Sequence, residues 1–444
     1  MTIQSRLGRF DLTMIIVSLV IGVGIFKTPG IVAEKAGSPF IFYTAWILGG
    51  IVCICGAFTF AEIGSRLPAA GGYYRIFSHC YHPIFAFMFN WGLIFTNAGG
   101  SVAVALVGAE YIQPVIVPAG LMYLFTPKVI AVALVTGLYI INYLGIKMGS
   151  RAQNILSGLK IAMILLLCLP LFIHTARPAD AVAATQSMSS VNPISALGIC
   201  LISIFFTFGG YQNTINLGAD IHEPRRNIPR GIFGGMTIVL VLYLLLNTAY
   251  CQVLGLDNMK GKTLIAAELA KTLFGDAGFK ITSIAVFISV AGFINSAFMY
   301  NPRMLYAMSE DNILPPIFRK VNGRTQAQEF AITFFFLIIF VSLLISGAFE
   351  KVMNYTMFID SGSLIFAAAT IFILRRRKEG ETAEGFKMKL FPYVPILYML
   401  VLLVVCISDF ANDYFSVLAS LGVMAAGYPL YYLLKRKTGK GVAA

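Results

Sequence analysis

The stretch Ser18-Leu-Val-Ile-Gly-Val-Gly-Ile-Phe26 decides the fold, because Gly22 and Gly24 interrupt the middle of an otherwise apolar span. A second interruption, Phe205-Phe-Thr-Phe-Gly-Gly-Tyr-Gln212, lies five apolar spans later. Irregular backbone at membrane depth is tolerated only where it is packed in protein or lines a polar cavity. A single Gly-x-Gly favours close helix packing, whereas two interruptions in corresponding spans indicate the binding site of a transporter.

The composition around these breaks is that of a membrane protein. The 444 residues are 58% hydrophobic and 12% charged, with a mean hydropathy of +0.80. Twelve helices of ~20 residues would use ~240 residues, a little over half of the chain. This excludes an ordinary cytosolic domain and a large soluble catalytic or receptor domain. Twelve apolar spans are predicted at 12–33, 39–61, 83–109, 121–144, 153–173, 195–217, 231–252, 279–307, 328–348, 352–374, 391–408 and 413–434.

The basic residues predict the orientation of these spans. The amino end, every second connector and the carboxyl end together hold 23 of the 33 Lys and Arg residues, so we expect both termini to be cytoplasmic. The formal net charge of +13 therefore indicates anionic lipid headgroups as a partner and not nucleic acid. No signal-peptide cleavage site follows the first span, so we expect it to remain in the mature protein.

The longest connector, residues 253–278, carries Ile265, Leu269 and Leu273 at a spacing of four. This spacing is that of a short amphipathic helix lying on the surface, with an ordinary solvated loop as the alternative.

Several motifs resemble the amino acid-polyamine-organocation superfamily. They are Gly22-Val-Gly-Ile-Phe26, Ala61-Glu-Ile-Gly-Ser-Arg-Leu-Pro-Ala-Ala-Gly-Gly-Tyr73 and Phe206-Thr-Phe-Gly-Gly-Tyr211. Two more, His222-Glu-Pro-Arg-Arg-Asn-Ile-Pro229 and Arg303-Met-Leu-Tyr-Ala-Met-Ser-Glu-Asp-Asn-Ile-Leu-Pro315, are similar to its L-type amino acid transporter branch.

The resemblance implies an all-α integral membrane protein with a LeuT-type fold of twelve transmembrane helices. Helices one and six would be discontinuous, within two inverted five-helix repeats at about 12–173 and 195–374. The transporter core would thus span residues 1–374. Residues 375–444 would add helices eleven and twelve and a basic cytoplasmic tail.

The resemblance also implies that a free amino acid binds between the two breaks. Its carboxylate would lie on backbone N–H groups around Gly22, Val23, Gly24 and Ile25, where a helix amino end favours an anion. Its ammonium would meet carbonyl oxygens of Val20, Phe206 and Gly209, beside Gly210, and the Phe206 ring is the candidate lid. Three residues depart from the pattern. Val23 replaces the usual Ser and removes a hydroxyl contact, Tyr211 replaces the usual Trp, and Lys27 replaces an apolar residue three positions beyond Gly24.

Three ionisable residues lie well inside the apolar spans: Lys27, Lys160 and Asp360. Such charges are costly in a membrane, so a function is the default interpretation. The resemblance implies that the Lys160 ammonium occupies the position of a sodium ion, tying span five to Ser18 and to span eight, where Ser289 and Ser296 are candidates. Release of its proton, or snorkelling to the cytoplasmic interface, are alternatives.

Depth arithmetic places Lys27 and Asp360 at a similar level in the outer half of the membrane. At ~1.5 Å per residue, Asp360 lies ~12 Å below the outer end of span ten. We expect the pair to form an outer gate over bound substrate. Alternatively, Lys27 binds an acidic side chain of the substrate, or its side chain extends towards water at the membrane interface.

The sequence therefore predicts a sodium-independent amino acid transporter, most simply an exchanger of small or medium neutral L-amino acids. A proton-coupled symporter and a non-transporting sensor or channel are the alternatives. No paired acid and base, nucleophile or metal constellation is found, so no enzyme, metal or cofactor is expected. Residues 110–127 lack cysteine, so no disulfide-linked ancillary subunit is expected. A bacterial inner membrane is the expected location.

Overall fold

The computed structural model describes residues 3–172, 193–262, 265–275, 277–345, 349–383, 385–412 and 414–440. Over these ranges the chain is α-helical, with short 3-10 turns and two isolated β-bridges, Leu7–Ile221 and Ala70–Leu217. The predicted all-α class is confirmed. The helices of the first half are α1 Arg9–Val20, α2 Gly24–Ala36, α3 Pro39–Arg66, α4 Gly72–Cys80, α5 Pro83–Ile116, α6 Pro127–Tyr143 and α7 Ile146–Leu167.

The second half contains nine helices in its described part. They are α8 Pro193–Thr207, α9 Pro224–Val253, α10 Leu256–Met259, α11 Ile265–Phe274, α12 Ala277–Glu310, α13 Glu329–Ile345, α14 Phe349–Arg376, α15 Tyr393–Asn412 and α16 Tyr414–Lys440. Each of the twelve predicted apolar spans overlaps one of the longer helices. We call the end of the bundle where α1 begins the N-terminal side, and the opposite end the far side.

The helices have the dimensions of a membrane bundle. By length and composition, six described helical stretches could cross a membrane, in α3, α5, α9, α12, α14 and α16, and the bent pair of α1 and α2 could make a seventh. Shorter apolar stretches lie in α6, α8, α13 and α15. Helix α15 exposes an apolar face, with Val404 58% and Ile407 60% exposed. Such a face is stable only in lipid or against another apolar surface.

Local sequence signals set several helix ends. Helices α3, α5 and α6 all begin at a proline, and the side chain of the preceding residue accepts a backbone N–H: Ser38, His82 and Thr126. Proline fits the first helical position because that N–H has no intrahelical partner. Helix α2 ends at Gly37, whose φ of 67° is in the left-handed region.

Helix α5 is central to the scaffold, where it packs against α12, α14, α16, α6 and α4. Helix α1 packs instead against α9, α7 and α12, and α8 against α2 and α3. The two broken spans therefore lie side by side.

The predicted helix in connector 253–278 is present as α11. Ile265 and Leu269 are fully buried, because α11 packs against α12, α2 and α9. The prediction of a helix was correct and the solvated loop was wrong. Its apolar face is covered by protein and does not lie on the bilayer surface.

Candidate functional site at the two helix breaks

The first break separates α1 from α2 by three residues, and the two helix axes differ by 44°. The Gly22 N–H bonds the Val20 carbonyl at 2.8 Å, which closes a tight turn. Gly22, Val23 and Gly24 are partly exposed, although Ile21 and Ile25 on either side are buried. A Cβ atom built on Gly22 would meet no atom within 4 Å. Gly22 therefore borders open space just before the amino end of α2.

The second break follows Thr207, the last residue of α8. Gly210 adopts a φ of 118°, and the chain continues as a 3-10 helix over Tyr211–Asn216 and not as an α-helix. Side chains compete with the helical pattern here, because Gln212 accepts the Gly210 N–H at 2.9 Å and Thr214 donates to the Tyr211 carbonyl at 2.6 Å. Gly209 and Gly210 are partly exposed. The Phe206 side chain, the predicted lid, lies outside the described part of the structure.

The two breaks contact each other directly. A Cβ atom on Gly210 would lie 2.7 Å from the Leu19 carbonyl oxygen, and one on Gly24 would lie 3.1 Å from the Thr207 side chain. Thr207 also donates its hydroxyl hydrogen to the Thr28 hydroxyl at 2.8 Å. The two sets of predicted substrate-binding residues are thus brought together, with no space between their backbones for larger side chains.

A buried tyrosine on α9 joins the carboxyl ends of the two half-helices. The Tyr243 hydroxyl lies 2.9 Å from the Val20 carbonyl oxygen and 3.1 Å from the Thr207 carbonyl oxygen, so one O–H donor serves both. Sequence analysis missed this residue. The sequence did contain a signal for it, because Tyr243 lies inside an apolar span and a buried phenol needs a polar partner.

Lys160 lies against the end of α1, where the resemblance implied. Its ammonium donates to the carbonyls of Ser18 at 2.8 Å and Ile21 at 2.7 Å, and its side chain is 2% exposed. A Cβ atom on Gly292 of α12 would lie 2.9 Å from the Lys160 Nζ atom. Gly292 therefore gives the ammonium its space, which sequence analysis did not foresee.

The serines predicted around Lys160 have different roles. Ser18 and Ser289 are buried, and their hydroxyls have no hydrogen-bond partner among the described residues. The Ser296 hydroxyl donates to the Gly292 carbonyl at 3.0 Å. Backbone carbonyls of α1, and not these hydroxyls, accept from the Lys160 ammonium.

Helix α7 also holds α1 through polar side chains below Lys160. Ser157 donates to the Met14 carbonyl at 2.7 Å. Ser150 and Asn154 donate to one carboxylate oxygen of Asp11 at 2.9 and 2.7 Å. Together with Lys160, these bonds fix α1 along its whole length.

Lys27 and Asp360 do not form an ion pair in the described part of the structure. Lys27 is exposed on α2, which packs against α8, α3, α10 and α11. Asp360 lies on α14, close enough to the phenols of Tyr73, Tyr300 and Tyr398 to interact with them electrostatically. The outer gate therefore stays a prediction for another conformation.

The Tyr211 hydroxyl forms a hydrogen bond inside the protein. Tyr211 is 2% exposed and donates to the Tyr398 hydroxyl at 3.4 Å. A Cβ atom on Gly56 would lie 1.9 Å from this oxygen, so α3 comes unusually close at this point. Tyr211 therefore forms the wall behind the second break.

Comparison with known proteins decides the family. A family model described as amino acid permease matches residues 7–428. The chain belongs to the amino acid permease family. The permease is 27% identical to the serine/threonine exchanger SteT of Bacillus subtilis over 98% of each chain. It is 24% identical to the cystine/glutamate transporter of Homo sapiens, over 94% of this chain and 83% of the relative.

A third relative is the methylthioribose transporter of Bacillus subtilis, 25% identical over 89% of this chain and 86% of its own length. The predicted superfamily and its L-type branch are confirmed by these relatives, and the permease is a membrane protein of amino acid transport.

In the permease, several ion pairs lie on the N-terminal side, near the end of α12. Arg303 and Asp220, 2% and 0% exposed, form a bidentate ion pair at 2.9 and 3.0 Å. The Asp220 carbonyl accepts the backbone N–H groups of Arg6 and Leu7 at 2.7 and 2.8 Å. Arg75 binds Asp311 at 2.6 Å and also pairs with Glu310. These contacts tie the chain before α1, the turn at Asp220 and α4 to the end of α12.

A second buried cluster surrounds Glu62, which is 0% exposed. Its carboxylate accepts from Arg66 at 2.8 Å, from Arg375 at 2.6 and 2.9 Å, and from the Met388 N–H at 2.9 Å. Arg66, Arg303 and Arg375 entered the orientation count as connector residues, yet all three neutralise a buried carboxylate. The sequence shows where such residues lie along the chain, but it does not show their partners.

Proposed function

We propose that the permease is a sodium-independent exchanger of small or medium neutral L-amino acids that works by alternating access. One observation carries the proposal: two glycine breaks lie in contact, and open space borders Gly22. A relative named as a serine/threonine exchanger supports exchange and the substrate class.

Substrate recognition would use backbone groups of both breaks. The substrate carboxylate would lie at the amino end of α2, on the N–H groups of Val23, Gly24 and Ile25, where the helix dipole is favourable. The ammonium would bind the carbonyl oxygens of Val20, Phe206 and Gly209. Tyr243 already donates to Val20, but a carbonyl oxygen has two lone pairs and accepts a second donor.

Sodium independence follows from Lys160 in this proposal. Its ammonium already satisfies two carbonyl oxygens at the end of α1, within 2.8 Å, so a fixed positive charge stands where a sodium ion would need oxygen ligands. A proton-coupled symporter is the second candidate, because the same buried ammonium has no carboxylate in its described hydrogen bonds and could release its proton.

The membrane arrangement completes the proposal. We infer twelve transmembrane helices in a LeuT-type arrangement of two inverted repeats, both termini in the cytoplasm and a bacterial inner membrane as the location. The division into a core of residues 1–374 and a remainder of 375–444 belongs to this inference. The N-terminal side would then be cytoplasmic. No disulfide-linked subunit is required by this scheme.

Counterflow in proteoliposomes tests the function. Purified permease is reconstituted, the vesicles are loaded with serine, alanine, leucine, glutamate or lysine, and entry of labelled amino acid is followed with and without sodium at two pH values. Exchange predicts entry only into loaded vesicles and no effect of sodium. Uptake into empty vesicles that an imposed proton gradient drives would instead establish the symporter. If no amino acid is exchanged across the vesicle membrane, the protein would be a sensor or channel.

A further inference from the structure

A cleft of about 510 Å³ opens on the N-terminal side of the permease, at the first turns of α9. Its lining combines three arginines with two aromatic rings: Arg225, Arg226, Arg230, Phe233 and Phe386, together with Pro229. The transport site described above uses none of these side chains.

The entrance of the cleft is strongly basic. Arg226 and Arg230 are exposed one helical turn apart, and Arg225 is held in place by a bond from its Nη1 atom to the Gly380 carbonyl at 3.3 Å. Arg230 has no ion pair among the described residues. The Arg230 charge is therefore uncompensated among the described residues, and the amino end of α9 adds a positive helix dipole. An anion at this entrance would relieve both effects.

The deeper part of the cleft is aromatic. The ring centroid of Phe233 lies 5.1 Å from that of Phe386 and 5.0 Å from that of Phe58. At ~1.5 Å per residue, Phe233 lies ~10 Å further along α9 than Arg226, in the direction of the apolar span. Beyond it, the exposed face of α9 continues with Val241, 50% exposed. The ligand should therefore be negative at one end and apolar at the other.

We propose that this cleft binds one phospholipid with an anionic headgroup. Its phosphate lies on Arg226 and Arg230, and an acyl chain runs along Phe233 and Phe386 into the bilayer. A free phosphate ion would use the arginines but would leave the aromatic rings without a partner.

The lipid would join two parts of the N-terminal side. The Ser65 hydroxyl donates to the Arg225 carbonyl at 2.7 Å and accepts the Phe386 N–H at 2.9 Å. These bonds already bring the start of α9 next to the segment before α15. A phospholipid between Arg230 and Phe386 therefore braces the same junction from the membrane side.

Native mass spectrometry of the purified permease in detergent measures this binding without requiring transport. The wild type is titrated with phosphatidylglycerol, with phosphatidylcholine and with inorganic phosphate. We expect one phosphatidylglycerol to be retained in preference to phosphatidylcholine. The double variant Arg226→Gln/Arg230→Gln should bind phosphatidylglycerol roughly 30-fold more weakly, because a basic residue at a membrane surface contributes about 1 kcal/mol.

The control is Lys147→Gln/Arg151→Gln, which removes two exposed basic residues at the same spacing near the start of α7. It should leave phosphatidylglycerol binding unchanged. Phe386→Ala should weaken binding of the lipid and not of inorganic phosphate. An equal loss in the α7 control, equal retention of phosphatidylcholine, or displacement of the lipid by equimolar inorganic phosphate would each overturn the proposal.

Discussion

The Lys160 ammonium nitrogen lies 2.7 Å from the carbonyl oxygen of Ile21, the first residue of the break in span one. A charged group from α7 therefore holds the backbone at the point where α1 stops. An unpaired buried carbonyl costs about 1 to 3 kcal/mol, so this contact is a large part of what fixes the break.

Replacing Lys160 by Ala should reduce the exchange rate by about tenfold or more, since the Ser18 and Ile21 carbonyls lose their donor. Gln retains a donor without the charge and should recover part of the rate. Counterflow with and without sodium measures both variants, and neither should acquire sodium dependence. Wild-type kinetics for Lys160→Ala at every pH would refute both the sodium-site role and the proton role of this lysine.

Tyr243→Phe removes one hydroxyl and nothing else, and leaves the Val20 and Thr207 carbonyls without that donor. We expect the maximal exchange rate to fall about tenfold, because the loss is worth about 1.4 kcal/mol. Tyr250→Phe is the matched control. Among the described residues its buried hydroxyl makes only a 3.5 Å hydrogen bond, to the Ile25 carbonyl, so the rate of this variant should change little. Equal losses of activity in the two variants would contradict the role of Tyr243 in joining the ends of α1 and α8.

Val23→Ser should lower the apparent KM for substrate by roughly 3- to 10-fold, because a hydroxyl would be added where the carboxylate is expected and one hydrogen bond contributes about 1 kcal/mol. Val23 is partly exposed at the break, so the change should not disturb packing. Val23→Ala removes the same bulk without adding a hydroxyl. Concentration-dependent counterflow distinguishes them, and equal KM values for Ser and Ala would exclude a hydroxyl contact.

Exchanging the charges of Lys27 and Asp360 tests the outer gate. Each single substitution, Lys27→Asp and Asp360→Lys, should abolish transport, and the double variant should restore a measurable rate if the two residues pair over bound substrate. The structure holds them apart, so such pairing requires closure of the far side. If Lys27 reads the substrate, the single variant Lys27→Asp should instead change the preference for aspartate and glutamate. A substrate panel on all three variants decides between the two.

Gly210→Ala should destabilise the folded permease by about 1 to 3 kcal/mol, because alanine is strained at positive φ and its Cβ atom would press on the Leu19 carbonyl. Gly22→Ala is the matched comparison, since a Cβ atom there meets open space. It should fold normally and raise the apparent KM. Thermal unfolding in detergent measures the first effect. Equal melting temperatures of the two variants would contradict the packing of Gly210.

The sequence predicted the features that have a local signature. Glycine pairs in apolar spans located both breaks, and a lysine inside span five located the residue that holds the first one. The path of the chain after the second break was less predictable, because Gln212 and Thr214 redirect the backbone into 3-10 turns through contacts that composition does not reveal.

Long-range partners were beyond the reach of the sequence. Counting residues along span ten estimates how deep Asp360 lies in the membrane, but not the direction in which it faces around the helix axis. Its phenolic neighbours come from three other helices, so they could not be predicted from this count. The Tyr243 hydroxyl and the Glu62 cluster likewise depend on how α9, α3 and α14 are placed around one another. Those placements result from packing over the whole bundle.

The close approach of Gly210 to Leu19 has a consequence for motion. If the two broken spans moved independently around the substrate, there would have to be space between them. Here the Gly210 backbone packs directly against the Leu19 backbone. We therefore expect the ends of α1 and α8 to move together. An amino acid bound at the breaks would move with these two helix ends, and the surrounding helices would expose it first to one side of the membrane and then to the other.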